Sequence, residues 1–223
     1  MRYERNQYYR RGNALLYVLL GIALFGALTF ILSRSTEIKN DPLSEERATL
    51  LANEMIAHVQ QVQQAVVMME MTGTDIDDLD FVKPGETGFD TAPHTGKIFH
   101  PAGGGISVMN TDKITSDGTA SAGWYYQDRT NVAWTDSTAH DVIYTFVGMS
   151  DSICEKINTI LHGIKSIPQT DNTTPGMLQL FDTNSGNSFL TTSNCSACEG
   201  YYQLCIERSD GAPNAFYTII ASR

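Results

Sequence analysis

Apolar positions follow three spacing regimes along this chain. The first regime is continuous: Ala14 to Leu32 is a run of 19 residues without a charge. At ~1.5 Å per residue, such a helix covers about 28 Å, close to the hydrocarbon thickness of a bilayer. The second regime is periodic. Ala48, Ala52, Met55, Val59, Val62, Val66 and Met69 step alternately by four and three, which predicts one apolar stripe on an amphipathic helix. Asp41-Pro42 opens it, because Asp caps exposed amides and Pro suits the first helical position. Glu45 and Glu46 sit in the first turn, where the helix dipole favours negative charge. Thr72-Gly73 ends it. Arg47, Asn53, Glu54, Gln60, Gln61, Gln63 and Gln64 fill the other faces. The stripe suits packing on the chain's own sheet, or packing that also involves copies of the helix.

The third regime is strand-like. Residues 73–105 are rich in Gly, Pro, Asp and Thr and read as loop, with Gly103-Gly104-Gly105 as a flexible turn before a strand. Aromatic and β-branched runs then predict strands at Ile106–Met109, Gly123–Gln127, Asn131–Thr135, Val142–Gly148, Met177–Phe181, Ser188–Thr192, Tyr201–Ile206 and Phe216–Ala221. One helix interrupts them. Ser150 or Asp151 caps it, and Ile153, Ile157, Ile160 and Leu161 give it an apolar face through His162-Gly163. The expected class is α+β: a long N-terminal helix, membrane-spanning first and amphipathic second, packed on an antiparallel β-sheet. The expected organisation is a basic leader (1–12), an apolar transmembrane or filament-core helix (13–34), a linker and amphipathic helix (35–72), and an α+β globular domain (73–223).

Charge gives the apolar run an orientation. Arg2, Arg5, Arg10 and Arg11 against Glu4 make residues 1–12 +3, so the rest of a chain of net charge −10 carries −13. Basic residues before a span stay cytoplasmic, which places the acidic bulk outside. A cleaved secretory signal has an apolar core of about 7–15 residues and a small-x-small site. This run is longer, and Ser33, Arg34 and Ser35 follow it, so it reads as retained. The acidic bulk also argues against broad nucleic-acid binding.

All four cysteines, Cys154, Cys195, Cys198 and Cys205, lie on the outer side. An even number there reads as two disulfides, with three pairings open. Cys195-Ser-Ala-Cys198 is a C-x-x-C between two expected antiparallel strands. A redox motif would open a helix after a strand, and zinc would need Cys205 plus a fourth ligand, so a structural bridge is the simpler reading. Asp75, Asp77, Asp78 and Asp80 form an acidic cluster without EF-hand spacing; it reads as a solvated loop, with calcium the sharper alternative. His58, His94, His100, His140 and His162 are scattered, and no nucleophile elbow, H-E-x-x-H or phosphate-cradling loop occurs. Trp124, Tyr125, Tyr126 and Trp134 read as core and sheet-face residues before a sugar platform. No enzyme and no cofactor is expected.

Arg10-Arg11-Gly12 directly before the apolar run, the amphipathic extension, and the late cysteines resemble the type IV pilin and pseudopilin superfamily. The segment Val147-Gly148-Met149-Ser150-Asp151-Ser152-Ile153-Cys154 is similar to the strand–turn–cysteine–helix of type IVb-like pilins. The resemblance implies a pilin-like fold and cleavage by a prepilin peptidase after Gly12, leaving Asn13 as a methylated N-terminus. It further implies pairing of Cys154 with Cys205, which leaves Cys195–Cys198 as a local bridge. Calcium-binding loop carboxylates occur in pseudopilins. The family usually places an apolar residue after the cut and a glutamate at the fifth mature position. Here those places hold Asn13 and Tyr17, which points to a minor or tip-located subunit, a divergent pilin, or an anchor that is never cut. Tyr17, Gly21 and Gly26 are the helix-packing candidates. The implied function is a structural subunit of a type IV pilus or type II secretion-like filament. Its partners would be fellow subunits, the prepilin peptidase, an inner-membrane platform and lipid. The implied location is the bacterial inner membrane with the bulk periplasmic, and then an extracellular filament. The alternative is a membrane-tethered periplasmic binding or adhesion domain that does not polymerise.

Overall fold

The computed structural model describes residues 17–26, 29, 42–114, 122–170, 188–208 and 214–222. The chain divides into two compact units, Met1–Ser44 and Glu45–Arg223. In the first, residues 17–26 are helical. Their large apolar side chains are each more than half exposed, from Leu20 at 54% to Phe25 at 73%.

The second unit is built on helix α1, Pro42–Met71. Its stripe is apolar throughout and buried: Ala52, Met55, Val59 and Val62 are 0% exposed. The helix stops for a local reason. Gly73 takes φ +96°, its N–H bonds the Glu70 carbonyl, and the Thr74 N–H bonds the Met69 carbonyl. These two bonds satisfy carbonyls that the helix itself leaves open.

Six strands follow among the described residues: β1 Gly123–Val132, β2 Asp141–Met149, β3 Gln169–Thr170, β4 Ser188–Leu190, β5 Gln203–Arg208 and β6 Asn214–Ala221. They form one sheet in the order β3-β5-β6-β2-β1-β4. Helix α2, Asp151–His162, lies between β2 and β3 in the chain. The central strand β2 is buried at every position, because both faces of the sheet are covered. On one face α1, α2 and loop residues Leu79, Phe81, Ile98 and Phe99 pack on Trp124, Tyr144, Phe146 and Phe216. On the other, Leu190, Cys195 and Cys198 pack on Ile143, Val147, Leu204 and Tyr217. A strand buried on both faces needs no alternation, and β2 has none.

Several expectations are corrected. A long helix, membrane-spanning at first, on an antiparallel sheet is not the architecture. The sheet is mixed: β1 pairs β4 in parallel and β3 pairs β5 in parallel. Each parallel partner returns after a long excursion, and such a connection is what parallel pairing requires. Among the described residues no helix is long and apolar enough to cross a membrane. Helix α1 has the length but carries Glu54, Gln60, Gln61 and Gln64 on its exposed side. Residues 106–109 are not a strand, and the expected strand at 131–135 is the end of β1 and the turn after it. The two-residue strand β3 lies outside every expected run. Ser150 stands at the N-cap of α2 without capping it through its side chain; its Oγ meets Ser152 Oγ at 3.1 Å instead. The expected strand at 177–181 lies outside the described residues.

Candidate functional site

One disulfide staples a helix to the sheet and the other closes a turn. Cys154 on α2 is bonded to Cys205 on β5, with Cα atoms 5.4 Å apart and neither residue exposed. Beside it, fully buried Asn158 donates from Nδ2 to the Cys205 carbonyl and accepts the Cys205 N–H at Oδ1, both at 2.8 Å. The second bridge, Cys195–Cys198, closes a turn that ends in the one-turn 3-10 helix Ser196–Cys198. Both of its residues are buried, at 2% and 0% exposure. A substrate thiol therefore has no open sulfur to attack, so the C-x-x-C acts here as a turn closure. The turn is locked further by the Tyr201 carbonyl, which accepts from Trp134 Nε1 and from the Tyr217 hydroxyl.

The acidic cluster is dispersed among local roles. Asp75 caps the one-turn 3-10 helix Ile76–Asp78 by accepting the Asp77 N–H at 3.1 Å. Asp80 accepts the Val82 N–H at 2.9 Å. Asp78 and Asp80 share a cavity of about 370 Å³ with Gly88, Thr91 and Lys97. Among the described residues no group of three or more His, Cys, Asp or Glu is placed to hold a metal.

The segment expected to be mostly loop has little regular secondary structure, and it is tightly built. Asp80 and Lys97 form a parallel bridge, with Asp80 N–H on the Gly96 carbonyl and Ile98 N–H on the Asp80 carbonyl. Gly103 and Gly104 are close-approach positions rather than a flexible turn. A Cβ at Gly103 would lie 2.2 Å from the Lys97 carbonyl oxygen, and one at Gly104 would lie 2.6 Å from that of Ile98. His94 and His100, which share a loop by sequence without making a site, stack with ring centres 4.1 Å apart. Lys97 is 5% exposed, and its ammonium donates to the carbonyls of Gly88, Phe89 and Thr91.

The aromatic residues are mostly core. Trp124 stacks on Tyr144 at 4.5 Å, and Phe81 on Tyr126 at 4.6 Å. Of the four residues singled out in the sequence, Trp124 is buried, whereas Tyr125, Tyr126 and Trp134 are half-buried against the core clusters. His58 stands on the buried side of α1 against Trp124, its Nε2 3.4 Å from the Tyr144 hydroxyl. Burial lowers its pKa to about 4. Burial also pushes the Tyr144 and Tyr217 hydroxyls up. Asp141 is fully buried at the start of β2 and accepts the Val132 N–H and the Thr135 hydroxyl. Burial raises its pKa, and those hydrogen bonds oppose the rise.

The processing residues Gly12 and Asn13 lie outside the described residues. Of the helix-packing candidates, Tyr17 is 67% exposed, and a Cβ at Gly21 or Gly26 would meet nothing within 4 Å. Sequence reasoning gave no special place to Asn158, Asp141 or Lys97. No protein-family model, no curated protein and no solved structure matches this chain.

Proposed function

We propose that this chain is a structural subunit of a type IV pilus or type II secretion-like filament, in a minor or tip position, attached through its apolar N-terminal segment. The observation that carries this reading is the surface of residues 17–26. Seven apolar side chains there are each more than half exposed on one short helical stretch. Apolar surface of that density is covered by lipid or by protein in a working molecule. The Arg10-Arg11-Gly12 leader supports a peptidase cut, and the doubly stapled outer unit suits exposure to an oxidising compartment. In this reading the chain is held at the bacterial inner membrane until assembly, with its bulk periplasmic. Fellow subunits then cover the apolar segment, and the outer unit supplies the exposed surface.

Mass spectrometry of the mature N-terminus, combined with fractionation, tests this. The expected result is a chain beginning at Asn13, recovered in sheared surface material. A chain that still begins at Met1 in cells with active prepilin peptidase, and stays in the inner-membrane fraction, overturns it. That outcome selects the membrane-tethered binding or adhesion domain, a reading with which Asn13 and Tyr17 in the family's usual apolar and glutamate places are also compatible.

A further inference from the structure

The segment from Asp78 to Gly104 sends Leu79, Phe81, Ile98 and Phe99 into the core, and the rest of it is firmly folded with little regular secondary structure. Its organisation centres on Lys97. The Lys97 main chain is tied at both polar atoms: its N–H bonds the His94 carbonyl, and its carbonyl accepts from the Gly104 and His100 N–H groups. The side chain is tied as completely. An ammonium has three donor hydrogens and no acceptor, and here three main-chain carbonyls, those of Gly88, Phe89 and Thr91, receive it. A buried charge is costly unless its environment replaces the water it lost. The acceptors are not carboxylates, so the compensation comes from converging peptide dipoles. A ring of carbonyl oxygens around a positive charge is also how loops hold free cations. Asp78 and Asp80 add negative charge to the adjoining 370 Å³ cavity, which Gly88, Thr91 and Lys97 also line.

We propose that the 78–104 segment is a carbonyl-lined cation site occupied by a tethered cation, the Lys97 ammonium, which folds the loop as a bound metal ion would. Two consequences separate this from ordinary side-chain packing. Removing the charge while keeping the volume releases the loop, because three carbonyls converge on a group that no longer donates. Removing the whole side chain leaves a site that a small free cation fills through the adjoining cavity. Ammonium, methylammonium and potassium have suitable size, whereas tetramethylammonium has no N–H and is too large.

The test is hydrogen exchange across residues 85–104 on the full chain, for the parent, Lys97→Met and Lys97→Ala. Each is measured at fixed ionic strength in sodium, potassium, ammonium, methylammonium or tetramethylammonium chloride. The parent should show the same protection in every salt. Lys97→Met should lose at least about tenfold protection in this segment, with the α1 and β2 amides unchanged. Lys97→Ala should lose as much in tetramethylammonium chloride and recover in methylammonium or ammonium chloride. Parent-like protection in Lys97→Met overturns the organising role of the charge. Loss in Lys97→Ala that no small cation restores, or that tetramethylammonium restores equally, overturns the cation site. If Lys97→Ala unfolds globally in every salt, that counts as failure to restore, and Lys97→Met still decides the first point.

Discussion

Asn158 and Cys205 exchange two hydrogen bonds at 2.8 Å, so that one side chain on α2 satisfies both main-chain groups of a residue on β5. Together with the Cys154–Cys205 bridge, this fixes α2 to the sheet twice within one turn. Asn158→Ala leaves a buried N–H and a buried carbonyl without their partner, and we expect a loss of about 2–4 kcal/mol. Equilibrium denaturation of the oxidised protein measures it. A loss below about 0.5 kcal/mol would show that water or local relaxation replaces both bonds.

The two disulfides should contribute unequally, because they close loops of very different length. Their sequence separations are 51 and 3. Chain entropy then assigns roughly 4 kcal/mol to Cys154–Cys205 and roughly 2 kcal/mol to Cys195–Cys198. Replacing each pair by alanine and comparing denaturation midpoints is the measurement. Equal losses, or a larger loss at Cys195–Cys198, would mean that native packing of the turn outweighs loop closure.

How much of the fold is legible in the sequence depends on whether a feature is local. Helix α1 is legible because its buried positions are apolar at a fixed period and Pro42 and Gly73 punctuate its ends. Strand β2 is legible as a dense apolar run. The mixed sheet is not, because the pairing of Val132 with Leu190 depends on how the chain returns after more than fifty residues. Spacing alone leaves three cysteine pairings open. Lys97 is invisible for a different reason: its partners are main-chain carbonyls, which every residue type carries. Gly103 and Gly104 suggested flexibility by composition, whereas their lack of Cβ serves a close backbone contact.

His58 makes stability depend on mildly acidic pH. Its folded pKa is lowered from 6.5 to about 4 by burial, so between those values the unfolded chain binds the proton and the folded chain does not. Stability therefore rises with pH through this window and is lost as pH falls from 6.5 towards 4. The full shift corresponds to about 3 kcal/mol. Denaturation at a series of pH values should show this slope in the parent and a flatter one in His58→Phe. An unchanged slope in the variant would assign the pH dependence elsewhere.

Asp141 acts in the opposite sense. Burial raises its pKa above the ordinary 3.8, so the folded chain holds a proton that the unfolded chain has released. Stability falls as pH rises from 3.8 towards the folded value. Asp141→Asn removes this titration while keeping an oxygen for the Val132 N–H. The variant should lose the falling limb just above pH 3.8, and comparison of the two pH–stability curves checks it. A falling limb that persists in Asp141→Asn would show that another carboxyl carries it.

The glycine run gives an internally controlled test of the loop. Alanine at Gly103 places a Cβ 2.2 Å from the Lys97 carbonyl oxygen and 2.6 Å from that of His94, both main-chain atoms that cannot swing away. Overpacking of this kind costs about 1–3 kcal/mol. At Gly105 a Cβ meets nothing within 4 Å, and the strain comes from φ +65° alone, worth about 1 kcal/mol. Gly103→Ala should therefore lower the thermal midpoint more than Gly105→Ala. It should also raise protease sensitivity within 85–104, whereas Gly105→Ala should leave that segment protected. If the two variants behave alike, the Gly103 contact is not holding the segment, and the 94–98 backbone yields to an added methyl group.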